Sequence, residues 1–111
     1  MLDISKADWK LFRERIPGWQ DAYMERLTRE YIELLSSEEP ASKKFWALDK
    51  RIREDKRMPG VQLELEKSQV GWDLIRLLRD GVIIDSDLEG FSKDLKDTVL
   101  HLVKTHHGNN R

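Results

Sequence analysis

The stretch Val61-Gln62-Leu63-Glu64-Leu65-Glu66 decides the architecture, because it reads in two ways. Its apolar residues alternate with polar ones, which is the period of a half-buried strand. A strand needs a neighbour, and no second alternating run of comparable length occurs in the chain. The expectation is therefore a helix from about Gly60 to Arg79, with Leu63, Val70, Leu74, Leu77 and Leu78 on one side and Val61, Leu65, Trp72 and Ile75 on the other. Apolar around much of its girth, such a helix belongs at the centre of the fold.

Working back toward the N-terminus, Arg57-Met58-Pro59-Gly60 is a break. Before it, Ser42 is a natural N-cap for a helix reaching about Lys56, with Phe45, Leu48 and Ile52 as its buried stripe and Trp46 to one side. Beyond the polar Ser36-Ser37-Glu38-Glu39-Pro40, a further helix runs from about Trp19 to Leu35 and carries Tyr23, Leu27, Tyr31 and Leu34 or Leu35 on one face. Pro17-Gly18 separates it from a first helix that ends at Ile16, since proline disfavours helical geometry in the residue before it. Ser5 and Asp8 start that first helix as a capping box, and Trp9, Phe12 and Ile16 form its stripe. On the C-terminal side, Asp80-Gly81 is a stop, Val82 to Ile84 is extended, and Asp85 caps a short turn through Leu88. Ser92 then caps a last helix bearing Leu95, Val99, Leu102 and Val103, and residues 105 to 111 read as a frayed end. The expected fold is all-α: one domain over residues 1 to 111, a compact bundle of four to six helices with a long central fourth helix.

With 111 residues the chain suits a single core, and 39% apolar against 37% charged residues make that core narrow. Trp9, Trp19, Trp46 and Trp72 offset the shortage, each ring burying roughly 150 to 250 Å². A net charge of -1 provides no global field to draw in nucleic acid or an anionic membrane. The absence of cysteine removes disulfides and thiolate chemistry together. No apolar run approaches the roughly 20 residues of a spanning helix, and the N-terminus lacks the pattern of a secretory signal. The expected setting is the cytoplasm.

The runs Asp8-Trp9-Lys10-Leu11-Phe12-Arg13-Glu14, Pro17-Gly18-Trp19-Gln20 with Ala22-Tyr23-Met24-Glu25-Arg26-Leu27, and Asp80-Gly81-Val82-Ile83 resemble a group of short uncharacterised bacterial helical proteins. The resemblance covers most of the chain, and none of its motifs carries assigned chemistry. Some members of the group bear a multidrug-transporter label, which this sequence does not support, because nothing in it is built to span a bilayer. What the resemblance implies is a compact helical protein.

Candidate chemistry is sparse. Asp80, Asp85, Asp87 and Glu89 gather around Gly81 as in half a calcium loop, but the register puts Arg76 and Leu78 where two carboxylate ligands belong. The acids read instead as caps of short helices. His101, His106 and His107 fall short of a closed metal site without cysteine partners. No paired acids or Ser-His-Asp set stands out, so the expectation is a non-enzyme with no cofactor and no metal. Two surfaces remain. The stretch Lys43 to Arg57 holds seven cations against three acids, a local +4, and Lys50, Arg53 and Lys56 would carry any contact to nucleic acid. The aromatic load is large for so narrow a core, so one or two rings are expected outside it, where they mark protein interfaces. Trp19 beside the Pro17-Gly18 bend and Trp46 off its stripe are the candidates. The leading expectation is a soluble protein-binding or self-associating helical module; the alternative is a nucleic-acid-associated regulatory protein.

Overall fold

Ser5 accepts a hydrogen bond from the Asp8 amide (3.0 Å), and from that cap a single helix, α1 (Lys6–Leu35), runs unbroken through Pro17. The computed structural model describes residues 3–109, with side chains through Thr105; the remaining residues lie outside the description. After α1 come α2 (Ala41–Asp55), a 3₁₀ turn (Lys67–Gln69), α3 (Val70–Arg79), a second 3₁₀ turn (Asp85–Leu88) and α4 (Lys93–Asn109). Every regular element among the described residues is helical, in agreement with the all-α expectation.

The expected break at Pro17 does not occur. A proline inside a helix costs about 3 kcal/mol, through a lost hydrogen bond and a clash with the carbonyl one turn earlier. Here Pro17 and Arg13 both lie on the exposed side of α1, where water reaches the freed carbonyl. On the opposite side Phe12, Ile16 and Trp19 form one unbroken stripe against the core, which a break at residue 17 would split. Tertiary burial outweighs the local signal.

The core lies where the first half of α1 meets α3 and α4. Phe12, Val70, Leu74, Leu77 and Val99 are fully buried there, with Ile83, Leu88 and Phe91 closing the end. The two ends of this body are tied through Asp8, whose carboxylate accepts from the backbone N–H (2.9 Å) and the hydroxyl (2.6 Å) of Ser92. Ser92 in turn accepts from the Leu95 amide at 3.4 Å, so it caps α4 as expected. Arg15 donates to the carbonyls of Asp87 and Glu89, and its guanidinium lies 5.4 Å from the centre of the Phe91 ring. The stop after α3 is a Schellman turn: Gly81 takes φ 73°, and the Val82 amide donates to the Leu77 carbonyl at 2.9 Å. Asp87 caps the turn that follows, accepting from the Ile84 amide at 2.8 Å, in place of the expected Asp85.

The central helix is therefore α3, half the length expected and third in order. Residues 61–66 do not coil. Gly60 packs so closely under the Tyr23 ring that a Cβ there would collide with three of its carbons, and the chain turns at this point. Val61 still belongs to the turn, its amide and that of Gln62 donating to the Met58 carbonyl at 2.9 and 3.1 Å, and the chain then runs without regular structure to an extended Glu66; Val61 and Leu63 are half-buried, whereas Gln62, Glu64, Leu65 and Glu66 face outward. The alternation marks neither a helix nor a strand here: Val61 and Leu63 turn toward the molecule while Leu65 is exposed, and an irregular segment on a surface has its polar groups solvated by water.

The molecule is also longer than a compact bundle. It measures 52 × 33 × 21 Å with a radius of gyration of 16.6 Å, against about 13 Å for a compact chain of this length. The excess is the second half of α1 with α2, which project from the body as an antiparallel hairpin.

Candidate interaction face

The hairpin is held by polar links. Lys44 donates to the carbonyls of Leu35 (3.0 Å) and Ser37 (3.2 Å), placing a cation at the carbonyl end of α1. Arg51 reaches Glu30 at 2.6 Å and Asp55 at 3.5 Å, and the Tyr31 hydroxyl donates to Asp55 at 2.5 Å. Burial, followed by that bond to a carboxylate, pushes the Tyr31 phenol up to about 12, so it stays a donor at any ordinary pH. Gln20 donates to the Pro59 carbonyl at 3.0 Å and secures the base. These contacts set the antiparallel register: the level of Leu35 meets Lys44, Glu30 meets Arg51 and Gln20 meets Pro59.

What the hairpin lacks is a core. Leu27 is its only buried residue on the α1 side beyond Trp19, and α2 buries none. Of the stripe expected inside, Leu48 is half-buried, whereas Phe45 and Ile52 are 62% and 36% exposed and form a surface. Ile32, at 64% exposure, and Leu35 add to it from α1. At 100° per residue, Met24, Thr28, Ile32 and Leu35 fall on one side of α1, and Phe45 and Ile52 fall on the same side of α2. Between the helices on that side lies a groove of about 260 Å³, lined by Met24, Leu27, Tyr31, Ile52, Lys56 and Val61 among others. Nearer the hairpin tip the Phe45 and Trp46 rings meet edge-on with centres 5.0 Å apart.

The two tryptophans singled out in the sequence lie apart. Trp46 is 64% exposed at the tip. Trp19 belongs to the body, half-buried with its ring centre 6.3 Å from that of Phe12 and 6.5 Å from that of Phe91. Of the cations, Lys50 is exposed, Arg53 pairs with Asp49 at 3.0 Å and Lys56 rims the groove. The residues that sequence reasoning missed are Ile32, Leu35, Phe45 and Ile52. The signal was available in principle: once α3 and α4 cover the first half of α1, no apolar stripe is left in the chain to cover α2.

Elsewhere, Asp73 is buried in α3, its Oδ2 without a hydrogen-bond partner and Arg76 3.8 Å away. Burial raises its pKa to about 6, with Arg76 opposing and Glu66 assisting. Among the described residues no three His, Cys, Asp or Glu side chains converge as a metal-binding group; His106 and His107 fall outside those whose side chains are described. No helix among the described residues is long and apolar enough to cross a membrane. No protein-family model matches the chain, and none of the curated proteins or solved structures compared with it is similar.

Proposed function

We propose that the chain is a non-catalytic binding module of the cytoplasm, in which the α1–α2 hairpin presents an apolar face to another protein. The observation that carries the reading is that α2, fifteen residues long, buries no side chain of its own while displaying Phe45, Trp46 and Ile52. A folded monomer leaves a face of this kind uncovered only at a cost in solubility, and contiguous apolar patches of this type mark interaction sites. The body supplies the stability and the hairpin supplies the contact. An alternative, binding of nucleic acid along α2, is weakened by the pairing of its cations: Lys43 with Glu39, Arg51 with Glu30 and Asp55, and Arg53 with Asp49. Ion pairs of this kind lower the positive potential a phosphate backbone would meet.

The test is a photo-crosslinking side chain placed in turn at positions 45, 52 and 10, the last on the body, in cells producing the full chain. Protein adducts of discrete mass are expected from positions 45 and 52 and not from position 10. An absence of adducts from the hairpin, or equal adducts from all three positions, overturns the reading.

A further inference from the structure

The hairpin's charge is divided between its helices. Residues 20 to 39 hold six acids and two bases, a net -4, and residues 43 to 57 hold seven bases and three acids, a net +4. The hairpin as a whole is neutral. An acidic partner would be attracted to α2 and repelled by α1, and a basic partner the reverse. A second copy of the same hairpin satisfies both halves at once.

Building on the interaction reading above, we infer that the apolar face is covered by a second copy of this chain, the two hairpins lying face to face as a four-helix bundle. Charge selects the symmetry. A two-fold axis perpendicular to the helices sets α1 against α1 and α2 against α2, acid on acid and base on base. An axis parallel to the helices sets α1 of each copy antiparallel to α2 of the other, and every neighbouring pair is then complementary.

The side chains agree with that choice. In the observed register Leu35 is level with Phe45, and Thr28 with Ile52, so the parallel axis brings Leu35 against Phe45 of the second copy and Thr28 against its Ile52. At the rim, Asp21 and Glu25 lie outside Met24 and Thr28 on α1, and Arg53 and Lys56 lie outside Ile52 on α2. The same operation carries Glu25, paired with Arg29 at 3.0 Å within its own helix, toward Lys56 and Arg53 of the second copy, the latter paired with Asp49 at 3.0 Å, so that each border charge joins an ion pair already formed and the sign pattern runs from acidic to basic. The face spans the fifteen residues of α2, about 22 Å, and is two helices or about 20 Å wide, a footprint of about 450 Å², smaller than the roughly 800 Å² per partner of a standard interface and suited to association in the micromolar range.

Sedimentation velocity on the full chain up to about 200 µM tests this. A 13.2 kDa chain is expected to sediment as a species of twice that mass. Asp21→Lys with Glu25→Lys, or Arg53→Glu with Lys56→Glu, each weakens association by about tenfold or more, with helix content unchanged by circular dichroism. Combining all four restores it, since the complementary border is rebuilt with its signs exchanged. A wild-type monomer throughout the range overturns the inference. Adducts to other proteins from positions 45 and 52 would then leave the interaction reading standing, and their absence would remove both. A dimer whose fourfold variant stays as weak as the twofold ones overturns the parallel axis.

Discussion

Replacing Asp73 by asparagine should stabilise the protein at neutral pH, and the gain should fade in acid. The Asp73 carboxyl is buried in α3, and one of its oxygens has no partner. Its pKa rises from the ordinary 3.8 to about 6 because burial disfavours the charged form. The folded state therefore binds the proton more tightly than the unfolded chain does. Stability associated with this group is fully present below about pH 4 and is lost as pH rises through about 6. A shift from 3.8 to about 6 corresponds to an upper bound of about 3 kcal/mol. An asparagine amide left partly unsatisfied in the same place takes back about 1 to 2 kcal/mol, so a net gain of roughly 1 to 2 kcal/mol at pH 7.5 is expected. Urea unfolding followed by tryptophan fluorescence, for both proteins from pH 4 to 8, gives the difference directly. An Asp73→Asn protein less stable than the wild type at pH 7.5, or a difference independent of pH, would show that Arg76 outweighs burial and would refute the reasoning.

Two glycines should respond oppositely to alanine. At Gly18 a Cβ meets nothing within 4 Å, so Gly18→Ala should stabilise the middle of α1, by about 0.5 to 1 kcal/mol; at Gly60 the Tyr23 ring occupies the space, so Gly60→Ala should destabilise, by about 1 to 3 kcal/mol, both read from denaturant midpoints. Asp8→Ala removes both bonds to Ser92, an exposed residue whose hydroxyl and amide then turn to water; a cost of about 1 to 2 kcal/mol is expected, with hydrogen exchange at the start of α4 accelerating before exchange in α3.

Much of the body was readable from sequence because its signals are local and agree with packing. Ser5, Gly81 and Ser92 act at element boundaries where the chemistry of one residue decides the geometry, and Leu74, Leu95 and Val99 fall on helical stripes that are in fact buried. The failures share a cause: a local or pairwise rule was applied where a distant contact decides. Pro17 signals a break, but Trp19 packed against Phe91, far along the chain, holds the helix continuous. Residues 61–66 carry apolar side chains enough for a helix, and the Gly60 turn beneath Tyr23, nearly forty positions away in sequence, leaves them without regular structure. The spacing of Phe45, Leu48 and Ile52 announces a face to be covered without saying by what. Of the candidate site, Trp46 was legible as a ring off its stripe and Lys56 as part of a basic face, whereas the exposure of Ile32 and Leu35 depends on which helices pack against the far half of the hairpin, which no local signal states.

The central claim is that the hairpin's apolar face is not used to fold its own chain, and paired unfolding measurements at concentrations too low for association test it most directly. Leu74→Ala, in the fully buried centre of α3, should cost about 2 to 5 kcal/mol. Phe45→Ser, on the open face, should change stability by no more than about 0.5 kcal/mol. A Phe45→Ser protein destabilised as severely as Leu74→Ala would contradict the claim, since the ring would then be buried within its own molecule and α2 would form part of the chain's own core.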